Sequence, residues 1–168
     1  PMSILKVDTI NEKTSGNGVA IPGHVIQTVQ FTRLGVSGST APGGAVNATS
    51  STYVDIMSKA ITTKVANSKI LVSMRCVGYV SSGNGTIRGA SKIFRNSTLI
   101  GGDPYAWYGA NATMHTHSLS FLDAPSVAAG TTLTYKMQGN SGTGTVVYLY
   151  TDGGGGAFND ITLMEIAQ

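Results

Sequence analysis

Along residues 69–80, KILVSMRCVGYV, side chains alternate in character: Ile70, Val72, Met74, Cys76 and Val80 share one face, and Ser73 and Arg75 lie on the other. Residues 132–138 repeat the pattern, with Leu133, Tyr135 and Met137 opposed to Thr132, Thr134, Lys136 and Gln138. Successive side chains of a strand point to opposite faces, so one apolar and one hydroxyl-rich face is the pattern of an antiparallel sheet with a single dry side. Nowhere does a helical period run for ten or more positions. The nearest approach, DIMSKAITTKV, carries a Thr pair and β-branched residues that favour strand. Strands are predicted at 24–33, 52–57, 60–65, 69–80, 85–95, 113–122, 132–139, 145–151 and 160–168, with a short piece near STLIG and an opening hairpin. About ten strands punctuated by Gly, Ser, Asn and Pro define the expected fold class, an all-β antiparallel β-sandwich.

Two of the last strands, TVVYLYT and ITLMEI, are apolar on both faces, which calls for a central place in a sheet or for a neighbouring subunit. Residues 35–51, GVSGSTAPGGAVNATSS, read as a long surface loop, and 101–112, GGDPYAWYGANA, as a second one. NSGTGT at 140–145 reads as a hairpin connection and DGGGG at 152–156 as a flexible one. The leading stretch LKVDTINEKTSGNGVAIPG places Lys6, Asp8, Glu12 and Lys13 ahead of a Ser-Gly-Asn-Gly turn. It is a short, polar β-hairpin with too little apolar surface to fold alone. The 168 residues therefore divide into an N-terminal arm, 1–22, and a single β domain, 23–168. No unit repeats at a solenoid or propeller period.

Composition narrows the function. Charged residues make up 11% of the chain while Gly numbers 22, so Ser, Thr, Asn and Gly must supply the polar surface. Few charges also let identical subunits pack with little ion desolvation. The net charge of +3 comes from basic residues spread along the chain, with no patch of the kind nucleic-acid binding needs. Cys76, alone in an apolar run, can form neither an intramolecular disulfide nor a Cys-type metal site, and reads as a small core hydrophobe. No apolar stretch is long enough to be inserted in a membrane as a helix. Lys6 and Asp8 interrupt what would be the apolar part of a signal peptide. Pro1 ahead of Met2 reads as a cloning remnant, so the chain is expected to be nearly a whole gene product.

Candidate chemistry is sparse. Asp103, Tyr105, Trp107 and Tyr108 cluster in GGDPYAWYG. Aromatic platforms and a carboxylate suit sugar binding; the same aromatics suit a protein interface, or Trp107 closes one end of the core. His115 and His117 lie two apart and hence on one strand face. They are either exposed polar residues or, if that face lines a threefold axis, a metal-binding pair, since two imidazoles cannot close a site within one chain. No nucleophile elbow and no phosphate-cradling loop occurs, and no cofactor is implied. Asp123 in FLDAP is expected to end its strand ahead of Pro125. The chain reads as non-enzymatic.

Four stretches in order carry a resemblance. ILKVDTINEKTSGNGVAIPG resembles a segment of tail-fibre and other virion proteins of tailed bacteriophages. GHVIQTVQ, STYVDI with ITTKVANSKILV, and the terminal ITLMEIAQ resemble a small β domain that recurs at the ends of such proteins. The resemblance spans essentially the whole chain and implies a jelly roll similar to the complement and tumour-necrosis-factor trimer modules, on the exterior of a virion. It implies a homotrimer that joins other virion proteins and whose tip contacts a host surface glycan or protein, and it brings no catalytic motif. In such a trimer Val7, Ile10, Val19 and Ile21 of the arm would turn inward around a shared axis, for attachment and oligomerisation. An arm packed on its own domain is the alternative. For the whole chain, the rivals to a fibre or spike tip are a capsid decoration or cement protein and a stand-alone carbohydrate-binding domain.

Overall fold

The computed structural model describes residues 22–34, 46–48, 52–81, 87–109, 113–142, 145–148 and 158–168. The predicted hairpin arm, with Val7, Ile10, Val19 and Ile21, lies outside them. The described residues form ten strands and no helix: β1 (Val25–Leu34), β2 (Val46–Ala48), β3 (Val54–Thr62), β4 (Lys69–Ser81), β5 (Ile87–Arg95), β6 (Thr98–Gly109), β7 (Thr113–Asp123), β8 (Thr132–Ser141), β9 (Thr145–Tyr148) and β10 (Phe158–Ile166).

All pairings are antiparallel, in two sheets. In the first, β7 runs along one side of β4, while β10 and then β9 share its other side end to end. Beyond them β1 pairs with β10 and β2 with β9. Six strands thus occupy four rows, β7, β4, β10 with β9, and β1 with β2. The second sheet has the order β3-β8-β5-β6. From β3 onward the chain crosses between sheets at every step to β9 except the β5–β6 hairpin, which is jelly-roll winding.

The alternating pattern accounts for the core. Ile70, Val72, Met74 and Cys76 of β4, Leu133, Tyr135 and Met137 of β8, and Ile161 and Leu163 of β10 are buried between the sheets. In β3 a register shift between Asp55 and Met57 turns two consecutive residues, Ile56 and Met57, inward. Asp123 does more than end a strand: at the end of β7 its carboxylate accepts two bonds from Arg95 Nη1, both 2.8 Å, and one from the Tyr135 hydroxyl at 2.6 Å. Both partners belong to the opposite sheet, so this cluster ties the layers together.

Three expectations are corrected. Strands expected at 52–57 and 60–65 are one strand, β3, because Ser58 to Ala60 stay paired with Lys136 to Thr134 of β8. The loop expected at 35–51 contains β2, held by β9. The loop expected at 101–112 is, as far as Gly109, the second half of β6, the edge strand of its sheet. The hairpin that creates β6 turns at Asn96–Ser97 with Arg95 opposite Thr98. Asn96 has φ 54°, a left-handed conformation that Asn tolerates. It is locked by an N–H to the Thr134 carbonyl at 2.7 Å, while its Oδ1 accepts from Thr134 N–H at 2.9 Å.

Candidate functional site

Sequence placed Asp103, Tyr105, Trp107 and Tyr108 in one loop; the structure distributes them over two faces of β6. Gly89 pairs with Trp107 and Ser91 with Asp103, so two steps along β5 span four along β6. The extra residues form a bulge at Pro104, whose missing N–H costs an edge strand nothing. Asp103 Oδ1 closes the bulge by accepting the Tyr105 N–H at 2.8 Å. Asp103 and Trp107 both face inward, and Tyr105 between them is turned out.

Trp107 is fully buried in the core. Its indole lies where two glycines make room. A Cβ on Gly78 of β4 would stand 2.7 Å from the ring, and one on Gly89 of β5 would stand 3.2 Å from Trp107 Cβ. Of its three sequence readings, the structure supports the core one.

Behind Trp107 lies a polar cluster. The His117 ring meets the indole edge-on, with centroids 5.3 Å apart, and its Nε2 is 3.3 Å from Ser91 Oγ. Ser91 Oγ accepts the Asp103 N–H at 3.2 Å, and Asp103 Oδ2 stands 4.0 Å from His117 Nδ1. Burial lowers the imidazole below its usual pKa of 6.5, with the Asp103 carboxylate pulling the other way. These residue types match a Ser–His–Asp triad, but the geometry does not serve nucleophilic attack. Ser91 is 3% exposed within β5, and the His–Asp separation exceeds a hydrogen bond. The cluster cements a bulged edge.

That edge is where the sandwich opens. Between β6 and β7 lies a cavity of about 460 Å³, floored by Ile93, Ile100, Leu119 and Phe121, with Asp103 and His117 at its polar end. His117 therefore sits on the same inward face of β7 as Leu119 and Phe121, whereas the metal reading of His115 and His117 required that face to line an axis between subunits. Among the described residues no three His, Cys, Asp or Glu side chains converge on a metal position.

Two exposed surfaces remain. On the outer face at β6, Tyr105 and Tyr108 are 58% and 52% exposed, and the Arg88 guanidinium carbon of β5 is 5.8 and 5.9 Å from their ring centres. Sequence reading missed Arg88. Its alternation opposite the inward Gly89, Ser91 and Ile93 was visible, but its neighbours appear only once the β5–β6 hairpin is closed.

The second surface is the outward face of the β4 sheet. Thr28, Met164, Leu71 and Leu122 stand in one register row across four strands. A hydroxyl and amide row, Gln30, Thr162, Ser73 and Ser120, lies beside it. Val25 and Leu122 are 48% and 51% exposed. Met164 and Ile166, the outward residues of the doubly apolar ITLMEI, are half-buried. No family model and no curated protein matches this chain.

Proposed function

We propose that this chain is a non-enzymatic bacteriophage virion structural protein, a homotrimer of jelly rolls on the particle exterior that forms a fibre or spike tip and contacts the host surface. The observation that carries the proposal is the outward face of the β4 sheet. A row of Leu71, Met164 and Leu122 beside Val25 and Ile166, with Lys69, Arg75 and Asp160 as the only charges among the described outward residues, suits identical copies better than water. The ordered resemblance of four stretches to phage fibre proteins supports the virion assignment, and the jelly roll is the fold that resemblance implies. A capsid decoration protein would use the same trimer; the exposed Tyr105–Arg88–Tyr108 group favours host contact. Residues 1–22 are, in this reading, the attachment and trimerisation arm.

Sedimentation at micromolar concentration tests the assembly: a trimer is expected, and a monomer overturns it. Deleting residues 2–22 is expected to abolish joining to particles while leaving a folded β domain. Purified protein is expected to compete with particles for host cells; if it competes instead for sites on the capsid lattice, the decoration role replaces the tip.

A further inference from the structure

We infer that Arg88, Tyr105 and Tyr108 form a binding site for a carboxylate-bearing pyranose, such as a uronic or sialic acid unit of a surface polysaccharide. The inference names the ligand class for the host contact proposed above and rests on that reading for the ligand's biological source.

Three features set the chemistry. First, the guanidinium is flanked by two aromatic rings and, among the described residues, meets no carboxylate. Lys136, by contrast, pairs with Asp55 at 3.1 Å, and Arg95 with Asp123 at 2.8 Å. A guanidinium set between ring faces is oriented by them, and its N–H edge matches the two oxygens of a carboxylate. Second, both rings keep about half their surface open, which offers apolar area to the C–H face of a sugar ring. Third, Asp103 pairs with the inward Ser91, and its oxygens face the Tyr105 N–H and His117, while the bulge turns Tyr105 out. That carboxylate is engaged at the bulge, and Lys92, outward on β5, adds positive charge to the outer face. A neutral sugar would gain the stacking alone. An acidic peptide would gain the ion pair without a ring to stack, so the combination selects an acidic saccharide.

The test uses the full chain, with trigalacturonate and sialyllactose as probes and maltotriose and lactose as their neutral counterparts, read by saturation-transfer NMR and calorimetry. The acidic probes are expected to bind, more weakly at about 0.3 M salt than at 0.05 M. Arg88→Gln is expected to weaken that binding at least about tenfold, with Arg88→Lys in between, because charge survives but the fork does not. Tyr105→Ala and Tyr108→Ala are expected to weaken acidic and neutral probes alike. All three substituted positions are exposed, so unchanged unfolding midpoints would exclude a folding defect. No binding of acidic probes, equal binding of neutral ones, full binding by Arg88→Gln, or equal binding of a glutamate-rich peptide would each overturn the site. The host reading fails separately: uronate binding by a protein that does not adsorb to cells removes host contact and leaves the site. Adsorption that persists in Arg88→Gln and ignores added oligogalacturonate removes the site and leaves host contact.

Discussion

Glu165 occupies an inward position of β10, so the alternation that builds the core also carries a carboxylate into it. Burial alone would push its pKa up. The Val65 and Lys64 N–H groups, the Ser68 hydroxyl and the Gln27 amide outweigh that and hold it below the usual 4.5. The donors lie at 2.6–2.9 Å and come from β1 and from the β3–β4 connection, so one anion pins three parts of the chain. Glu165→Gln would aim an amide N–H at these donors and is expected to cost about 2–3 kcal/mol in chemical unfolding at pH 7. A depressed carboxylate pKa gives stability that is complete above the unfolded value and lost as pH falls through the folded one. The gap between wild type and Glu165→Gln should therefore close as pH drops below 4.5; a gap constant down to pH 3 would assign the cost to packing. Gly78 makes a complementary case. Its absent Cβ leaves room for the Trp107 ring, and because β4 is paired along both sides the backbone cannot withdraw. Gly78→Ala is expected to destabilise by roughly 1–3 kcal/mol in the same measurement.

At the scale of elements, the two edge strands β6 and β7 govern how closed the sandwich is. His117 is the polar group of β7 that reaches toward β6, and burial lowers its pKa below 6.5. The unfolded imidazole then takes up its proton first on acidification, so the contribution of this contact is complete above about pH 6.5 and lost as pH falls below it. Amide exchange in β6 and β7 is expected to speed up between pH 7 and 5.5 relative to β4, and His117→Asn to flatten that dependence; equal change in all strands would refute it. The inward placement of His117 was legible, since it alternates in step with Leu119 and Phe121. So were β4, β8 and β10, whose periods of two needed no tertiary information. Trp107 and Asp103 were not legible in the same way. Strict alternation groups Tyr105 with both of them, and only the bulge against β5 turns Tyr105 out. Arg88 was beyond reach for a different reason: its partners are 17 and 20 residues further on, brought near by a hairpin whose exact turn sets the register. Asp123 was read as a strand terminator because the bonds it makes to Arg95 and Tyr135 cross between sheets.

The whole molecule presents two unlike outer faces. On the β8 sheet, Lys136 and Gln138 both engage Asp55, Lys92 stands 4.0 Å from the Tyr53 ring centre, and Lys136 also covers Phe94. These charges are engaged within their own face, which leaves Arg88, flanked by rings, for a ligand. On the β4 sheet the described outward residues form apolar and hydroxyl rows with few charges among them. Covering a half-exposed Leu, Met or Val is worth roughly 1 kcal/mol each, so Val25, Met114 and Leu122 together favour association without making the separate subunit unable to fold. The charge placed at Leu122 should therefore act on assembly and hardly at all on the fold. Leu122→Glu would set three like charges against an apolar row in the proposed trimer, and is expected to sediment as a monomer at micromolar concentration with an intact β-sheet spectrum. Its thermal midpoint should no longer rise with protein concentration, because the mass-action contribution of the partners is gone. Tyr105→Glu, an equally exposed change on the other sheet, is expected to remain trimeric. If both variants assemble like the wild type, the β4 face is not where the copies meet; if both fall apart, the contact runs around the β6–β7 edge instead.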